Sequence, residues 1–359
     1  MKVALLLSGG VDSSVALLRL LEAGHEVTAF YLKIWLEDEL AFLGECPWDE
    51  DLRFARAVCD ELLVPLEIVP LQREYHERVV RSAIDELQRG GTPSPDIWCN
   101  RRVKFGAFFD ALASLGRPTD FDRIASGHYA RIAPGPDGPR LLSGVDPVKD
   151  QTYFLYRLDQ EQLGRCLFPL GDLDKSAVRA LARRAGLSNQ DRRDSQGICF
   201  LGKLRFEDFV RGYLGEQPGP IRDHADGRAL GEHRGLWFHT VGQRKGLGLG
   251  GGPWYVVDKD PDTTTLWVCH GDALDQHRRR RFHLDQVHWI GDPEGTEGIS
   301  VRVRHGPKKT DAQVHARPDG GLDVELAEAD PGIAGGQSAV LYRGERCLGG
   351  GVIAPPSNS

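Results

Sequence analysis

The stretch Val3-Ala4-Leu5-Leu6-Leu7-Ser8-Gly9-Gly10-Val11-Asp12-Ser13-Ser14 decides the reading of the fold. An apolar run of strand character enters a turn with two glycines, and a helical pattern over Val15 to Ala23 follows and stops at Gly24. In that order the three parts make an anion cradle. Glycine lets the backbone come close to a ligand, and a helix start offers N–H groups without intrahelical partners together with the positive end of the dipole. The loop is expected to hold pyrophosphate. It lacks the Gly-Lys-Ser/Thr triplet whose lysine reaches the β- and γ-phosphates, so a kinase or GTPase reading fails. The plainer alternative is a serine-capped helix start, but the whole pattern sits in the strand-turn-helix context that phosphate binding needs.

Further along, the apolar runs Val27 to Leu32, Leu66 to Val69 and Ile124 to Ala125 alternate with helical stretches, the signature of a doubly wound parallel sheet in an α/β domain. Pro134 to Pro139 reads as a surface turn, and Lys175 to Gly186 as an amphipathic helix closed by its glycine. Past Gly202 the composition shifts. Gly235 to Pro253 is glycine-rich, and Trp254 to Val257 and Thr264 to Cys269 read as paired strands of a small β-rich domain. From His283 onward, Ile299, Val301 and Val303 alternate with Ser300, Arg302 and Arg304, with turns at Pro318 to Gly320 and Arg343-Gly344, which predicts a C-terminal β-barrel. Three domains are expected, at 1–202, 203–282 and 283–359, with Arg278 to Arg281 as a linker between the two β units. Gly242 to Gly252 is no dinucleotide fingerprint, because no βαβ unit surrounds it; it reads as a mobile loop near the site.

With 359 residues, 40% of them apolar and 27% charged, the chain has the balance of a soluble protein and is too long for one core. No apolar run approaches the roughly 20 residues that cross a bilayer, and no signal pattern precedes Val3, so a cytoplasmic protein without a membrane partner is expected. The net charge of −7 leaves the partner open, since phosphate binding depends on where cations lie. Seven cysteines without a CxxC pair or zinc spacing indicate neither a disulfide framework nor structural zinc, and no metal ligand set is assigned. A monomer is expected.

Two cysteines stand out by their neighbours. Cys99 ends Thr92-Pro93-Ser94-Pro95-Asp96-Ile97-Trp98-Cys99-Asn100, where prolines stiffen the backbone, Asp96 sits three residues before the thiol, and Arg101, Arg102 and Lys104 follow. Cations favour the thiolate, so Cys99 reads equally as reactive or as packed. Cys199, in Asp194-Ser195-Gln196-Gly197-Ile198-Cys199-Phe200-Leu201-Gly202, taken alone reads as a small core residue. Cys46, Cys59, Cys166, Cys269 and Cys347 have spacings that point to packing or surface thiols only.

The loop Ser8 to Ser13 resembles the SGGxDS loop of the PP-loop ATP pyrophosphatases, and together with the two cysteine strings it resembles the tRNA-specific 2-thiouridylase family. The likeness runs the length of the chain, through Phe30 to Trp35, Ser126-Gly127-His128-Tyr129, Lys149 to Leu155, Thr240 to Gly246, Trp254 to Asp260 and Pro331 to Gly351. It implies an adenine nucleotide hydrolase-like first domain followed by the small β-rich domain and a tRNA-binding barrel. It also implies that ATP adenylylates the C2 oxygen of the wobble uridine and that sulfur then displaces AMP. Leu6, Leu7, Ser8, Gly9, Gly10, Val11, Asp12, Ser13, Leu32 and Gly127 would surround ATP, with Asp12 helping to hold Mg2+. Cys199 would receive a persulfide from a cysteine desulfurase or a sulfur-relay carrier, Cys99 would be the partner nucleophile that closes a disulfide with it, and Asp96 would act as general acid/base. An iron–sulfur cluster on the same cysteines is the other scheme argued for some relatives; the persulfide is preferred here because no third ligand is evident.

The resemblance also sets Ser94, Pro95, Asp96, His128, Lys149, Asp150, Gln151, Arg304, His305 and Gln337 against tRNA, whose target base must leave its stack. Read from residues alone, Lys149 to Gln151 is a capped loop, while Arg302 and Arg304 share one strand face with His305, Lys308 and Lys309 close behind, a basic strip or merely a solvated face. The chain departs from the family pattern at Glu37 to Asp49 and at Ser94, where asparagine is common. Two other readings stand beside sulfur transfer: a PP-loop ligase with an amine nucleophile, which has no use for the two thiols, and a nucleotide-binding regulator without turnover.

Overall fold

The computed structural model describes residues 1–34, 48–117, 120–193 and 206–355. The first domain opens β1 (Lys2–Leu6), α1 (Val11–Glu22), β2 (Glu26–Lys33), α2 (Trp48–Leu62) and β3 (Leu66–Pro70). After the short helix α3 (Pro95–Cys99) come β4 (Arg123–Ser126), β5 (Ala130–Ala133), β6 (Arg140–Ser143), β7 (Cys166–Leu167) and α4 (Lys175–Arg184). Strands β3-β2-β1-β4-β7 form one parallel sheet in that order. Alternation along β1 feeds a core on each side. Val3 and Leu5 pack with Val15 and Leu17 of α1 and Val58 of α2, while Ala4 and Leu6 pack with Phe30, Ile97 and Phe108 on the other face. The order of connection reverses between β1 and β4, which opens a crevice beyond their carboxyl ends.

Helix α1 starts at Val11, earlier than its apolar pattern shows. Ser13 and Ser14 each donate a hydroxyl to the Gly10 carbonyl at 3.0 Å, so polar residues build the first turn and hide it from periodicity. In α4 the Asp174 side chain accepts from the Ala177 N–H at 2.8 Å, a cap on the expected helix.

Helix α5 (Phe206–Leu214) leads to a four-stranded sheet in the order β10-β11-β8-β9, from β8 (Gly219–Asp223), β9 (Ala229–His233), β10 (Trp254–Asp260) and β11 (Thr265–His270). The paired strands expected there are β10 and β11, antiparallel. The barrel comprises β12 (Arg279–Trp289), β13 (Ile299–Arg302), β14 (Thr310–Ala316), β15 (Leu322–Asp330), β16 (Ser338–Arg343) and β17 (Arg346–Ile353), closed by pairing of β12 with β17. Arg279 to Arg281 are therefore the first residues of a barrel strand and not a linker. Arg279 donates to the Ile333 carbonyl and Arg281 pairs with Glu325.

The hairpin β5–β6, turned at Pro134 to Pro139, joins the barrel sheet through β6 and β17, with Leu141 opposite Cys347. The first domain thus contributes two strands to the last. Among the described residues no helix is long and apolar enough to cross a membrane.

Candidate active site

The phosphate loop is braced from behind. Asn189 and Arg192 donate to the Gly9 carbonyl at 2.9 and 3.0 Å, Asn189 also reaches Ser14 Oγ at 2.8 Å, and Arg192 pairs with Asp51. Gly9 has φ +74°, and a Cβ there would lie 2.2 Å from the Asp51 carbonyl oxygen, so conformation and space both require glycine. At the end of β4, a Cβ on Gly127 would meet the Ser13 nitrogen at 2.8 Å, which lets the strand end and the start of α1 almost touch. The Ser8 N–H donates to Ser13 Oγ at 3.2 Å across the turn.

A cavity of about 250 Å3 opens at this switch point. Leu6, Leu7, Ser8, Asp12, Ser13, Leu32 and Gly127 line it, and so do Cys99, His128 and Gln151. Gly9, Gly10 and Val11 form the turn itself, with Gly10 extended as the cap of α1 and Val11 buried. Residues far apart in the chain therefore meet, and the thiol of Cys99 shares a wall with the phosphate loop.

The cavity also gathers groups that sequence reasoning had not linked to it. Asp12 Oδ1 accepts from the Tyr129 hydroxyl at 2.8 Å and from Lys175 Nζ at 2.7 Å, and Asp51 and Lys104 belong to the lining. Tyr129 and Lys104 lie inside quoted motifs, whereas Lys175 heads a helix and Asp51 belongs to α2, so only folding brings those two here.

Cys99 is 1% exposed at the end of α3, where Pro95 occupies the first turn. A π-helical turn, Asn100–Ala107, continues the chain with a break at Phe105 (φ −112°, ψ 24°), and Gln162 Nε2 donates to the freed carbonyls of Arg101 and Phe105. Of the three cations after the thiol only Lys104 lines the cavity. Arg102 stacks 3.8 Å over Trp98 and donates to the Arg78 carbonyl and Ser82 Oγ. Burial pushes the Cys59 thiol up to about 11 and that of Cys347 up to about 12, the state of packing thiols. His128 is held well below the usual imidazole range, first by burial and then by Lys104, so it is neutral at pH 7; its Nδ1 lies 2.7 Å from Ser126 Oγ. Cys199 and the rest of Asp194 to Gly202 lie outside the described residues, as does Cys46.

The residues expected at RNA fall into two groups. Ser94 lines a second groove with Trp98, Arg102 and Gly336, Asp96 sits half-buried in the first turn of α3, and Gln337 follows Gly336; the Thr92 N–H donates to the Gly335 carbonyl at 3.1 Å and ties these segments together. The second group surrounds Asp150 and corrects the basic strip. Arg302 is 2% exposed and faces Asp150 at 2.6 Å, so it does not share a surface with Arg304. Arg304 donates to both oxygens of Asp330 at 2.7 Å, and Lys308 pairs with Glu328 at 2.9 Å. His305 stacks on Phe154 with centroids 4.7 Å apart and donates to the Asp150 carbonyl at 3.2 Å. The Asp150 carboxylate points into the fold, while Lys149 and Gln151 are half-buried.

Three family models match in succession: "tRNA methyl transferase HUP domain" over residues 1–203, "tRNA methyl transferase PRC-barrel domain" over 207–270 and "Aminomethyltransferase beta-barrel domain" over 279–353. Similar curated proteins include tRNA-specific 2-thiouridylase MnmA 1 of Bacteroides thetaiotaomicron, 41% identical over 98% of this chain and 99% of its own. The MnmA proteins of Parabacteroides distasonis and Shewanella sp. strain MR-4 are each 42% identical over 98% of this chain, and over 99% and 95% of their own. Among solved structures, a 4-thiouridine synthetase–RNA complex with bound ATP aligns at a TM-score of 0.36, 20% identical, over 56% of this chain and 45% of that one, too slight a likeness to bear on function.

Proposed function

The chain belongs to the family of tRNA-specific 2-thiouridylases, sulfur-transferring enzymes, and from that membership we propose that its cavity adenylylates a wobble uridine of tRNA at the C2 oxygen and then replaces that oxygen with sulfur. One observation carries the reading: Cys99 stands in the wall of the cavity that Ser8, Asp12, Ser13 and Gly127 build. Methyl transfer, the word in two of the model descriptions, would leave that thiol without a part.

Leu6, Leu32 and Val103 offer adenine an apolar wall, and the N–H groups of the loop and of the start of α1 take the phosphates. The carboxylates of Asp12 and Asp51, both in the lining, would supply hard oxygen ligands to a Mg2+ accompanying ATP. The uracil oxygen attacks the α-phosphorus and pyrophosphate leaves. The outer sulfur of a persulfide on Cys199 then attacks C2 and AMP leaves. Cys99 attacks the Cys199 sulfur, breaks its bond to the delivered sulfur and leaves a disulfide that an external thiol reduces. Asp96 moves the proton near the base, and the persulfide comes from a cysteine desulfurase or a sulfur carrier.

RNA is held by Ser94, Pro95 and Asp96 at the second groove with Gln337, and by His128, Lys149, Gln151, Arg304 and His305 around the cavity and the barrel. Asp150 serves from inside. In this reading residues 1–202 do the chemistry, 203–282 join the parts and 283–359 grip the tRNA.

The test is incubation with unmodified tRNA, ATP, Mg2+ and a persulfide source, followed by retardation of thiolated RNA on a mercury gel. ATP-dependent retardation is expected, lost in Cys99→Ser and in Cys199→Ser while ATP binding remains. Retardation at the wild-type level in Cys99→Ser overturns the mechanism.

A further inference from the structure

Asp150 and Arg302 form an ion pair with 0% and 2% side-chain exposure, between the first domain and barrel strand β13. Such a pair is a poor source of stability, since removing two charges from water offsets most of their attraction and an apolar pair of like volume is often as stable. Its placement is more informative. Asp150 Oδ1 accepts from the N–H groups of Gly144 and Thr152 at 3.2 and 3.1 Å and from Thr152 Oγ1 at 2.8 Å, so the carboxylate fixes its own loop while its other oxygen meets the barrel.

The next residue reaches the cavity. The Gln151 N–H donates to the Tyr129 carbonyl at 3.0 Å and its Oε1 accepts from the Tyr129 N–H at 3.0 Å, a two-point clamp, and the Tyr129 hydroxyl donates to Asp12 at 2.8 Å. A continuous chain of contacts thus runs from Arg302 through Asp150, Gln151 and Tyr129 to Asp12 of the phosphate loop. At its barrel end His305 also grips the Asp150 carbonyl, and Arg304 is two residues from Arg302.

We propose that Arg302 is a positioning residue that couples RNA binding on the barrel to nucleotide binding in the cavity by way of this chain. The proposal rests on the reading that Arg304 and His305 meet RNA. RNA held there restrains the end of β13, and with it Asp150 and the Gln151–Tyr129 clamp; the nucleotide then meets a loop with less freedom left to lose. Linkage requires the nucleotide to tighten RNA by the same factor.

The experiment measures the affinity of α,β-methylene ATP with and without tRNA, and of tRNA with and without the analogue. In the wild type each ligand is expected to tighten the other about 10-fold, within the usual range of such couplings. Arg302→Met alone strands a buried carboxylate, so the informative protein is Arg302→Met with Asp150→Asn, in which the ratio falls to about 1 whatever the affinity of either ligand alone; Arg302→Lys, which keeps the cation, restores part of it. An unchanged ratio in the double variant, with only the melting temperature altered, assigns the pair a structural part and overturns the proposal. If tRNA binds the wild type but the ratio is already 1, the coupling fails and the RNA-docking reading stands. If tRNA does not bind at all, both fall.

Discussion

Cations gather at two places in this molecule and meet different partners. In the cavity, Lys175 pairs with an oxygen of Asp12 that also accepts from the Tyr129 hydroxyl, and Lys104 and Asp51 share the same wall, so side-chain charges there offset one another beside a loop that itself presents a helix start. Along the barrel segment Arg302 to Lys309 three cations already hold carboxylates, from the buried pair of Arg302 with Asp150, through half-exposed Arg304 on buried Asp330, to the exposed pair of Lys308 with Glu328. The anion site at the cavity is built from the backbone N–H groups of a helix start, whereas in the proposed RNA contact Arg304 and Lys308 would exchange a protein carboxylate for a phosphate.

The contrast is sharpest in stability. Arg302→Met leaves a buried carboxylate uncompensated and is expected to cost about 3–5 kcal/mol in denaturant unfolding. A cost below about 1 kcal/mol, the range of an exposed pair, would mean that Arg302 is no different from its neighbours.

On the cavity side, Gly127→Ala pushes a methyl against the backbone of Ser13, and thiolation is expected to fall roughly 100-fold, about 2.7 kcal/mol of barrier, with the barrel's affinity for tRNA kept. Unaltered turnover would show that the close approach of β4 to α1 is not needed.

A smaller effect follows from pH. Burial lowers His239 to about 4 and His128 well below its usual value, so the unfolded chain takes up protons first. Stability from these groups is complete above about pH 6.5 and is lost as pH falls through the interval down to the folded values, by about 1.4 kcal/mol per pH unit for each histidine. Urea midpoints between pH 7.5 and 5 measure this slope, and His239→Asn should flatten it.

The smallest change belongs to Arg304→Ala. Arg304 is half exposed but its partner Asp330 is buried and would keep the Gly332 N–H at 2.7 Å, so folding stability should fall by about 1 kcal/mol while tRNA affinity and its salt dependence decline. Unchanged salt dependence would remove Arg304 from the RNA surface.

The parts legible in the sequence are those whose physics is local. A strand, two glycines and a helix start in that order mark a turn whose backbone can approach an anion, and period-two alternation announced the barrel. What stayed hidden depended on distant segments. Lys175 reaches Asp12 across 163 positions. Arg302 alternated like an exposed residue, yet the loop at Asp150 covers that face of β13. Arg279 to Arg281 looked like a linker because consecutive arginines hide the strand pattern. Hairpin β5–β6 belongs to the barrel sheet through pairing with β17, about 200 residues further on, which no local pattern encodes.

The central claim, that a tRNA carbonyl activated in this cavity is finished by a thiol of the same wall, is met most directly by following pyrophosphate and thiolated RNA together in Cys99→Ser supplied with tRNA, ATP and persulfide. Release of both pyrophosphate and AMP, with tRNA held covalently on Cys199 through the delivered sulfur and no free thiolated product, is the predicted result. Thiolated tRNA formed at the wild-type rate would contradict it.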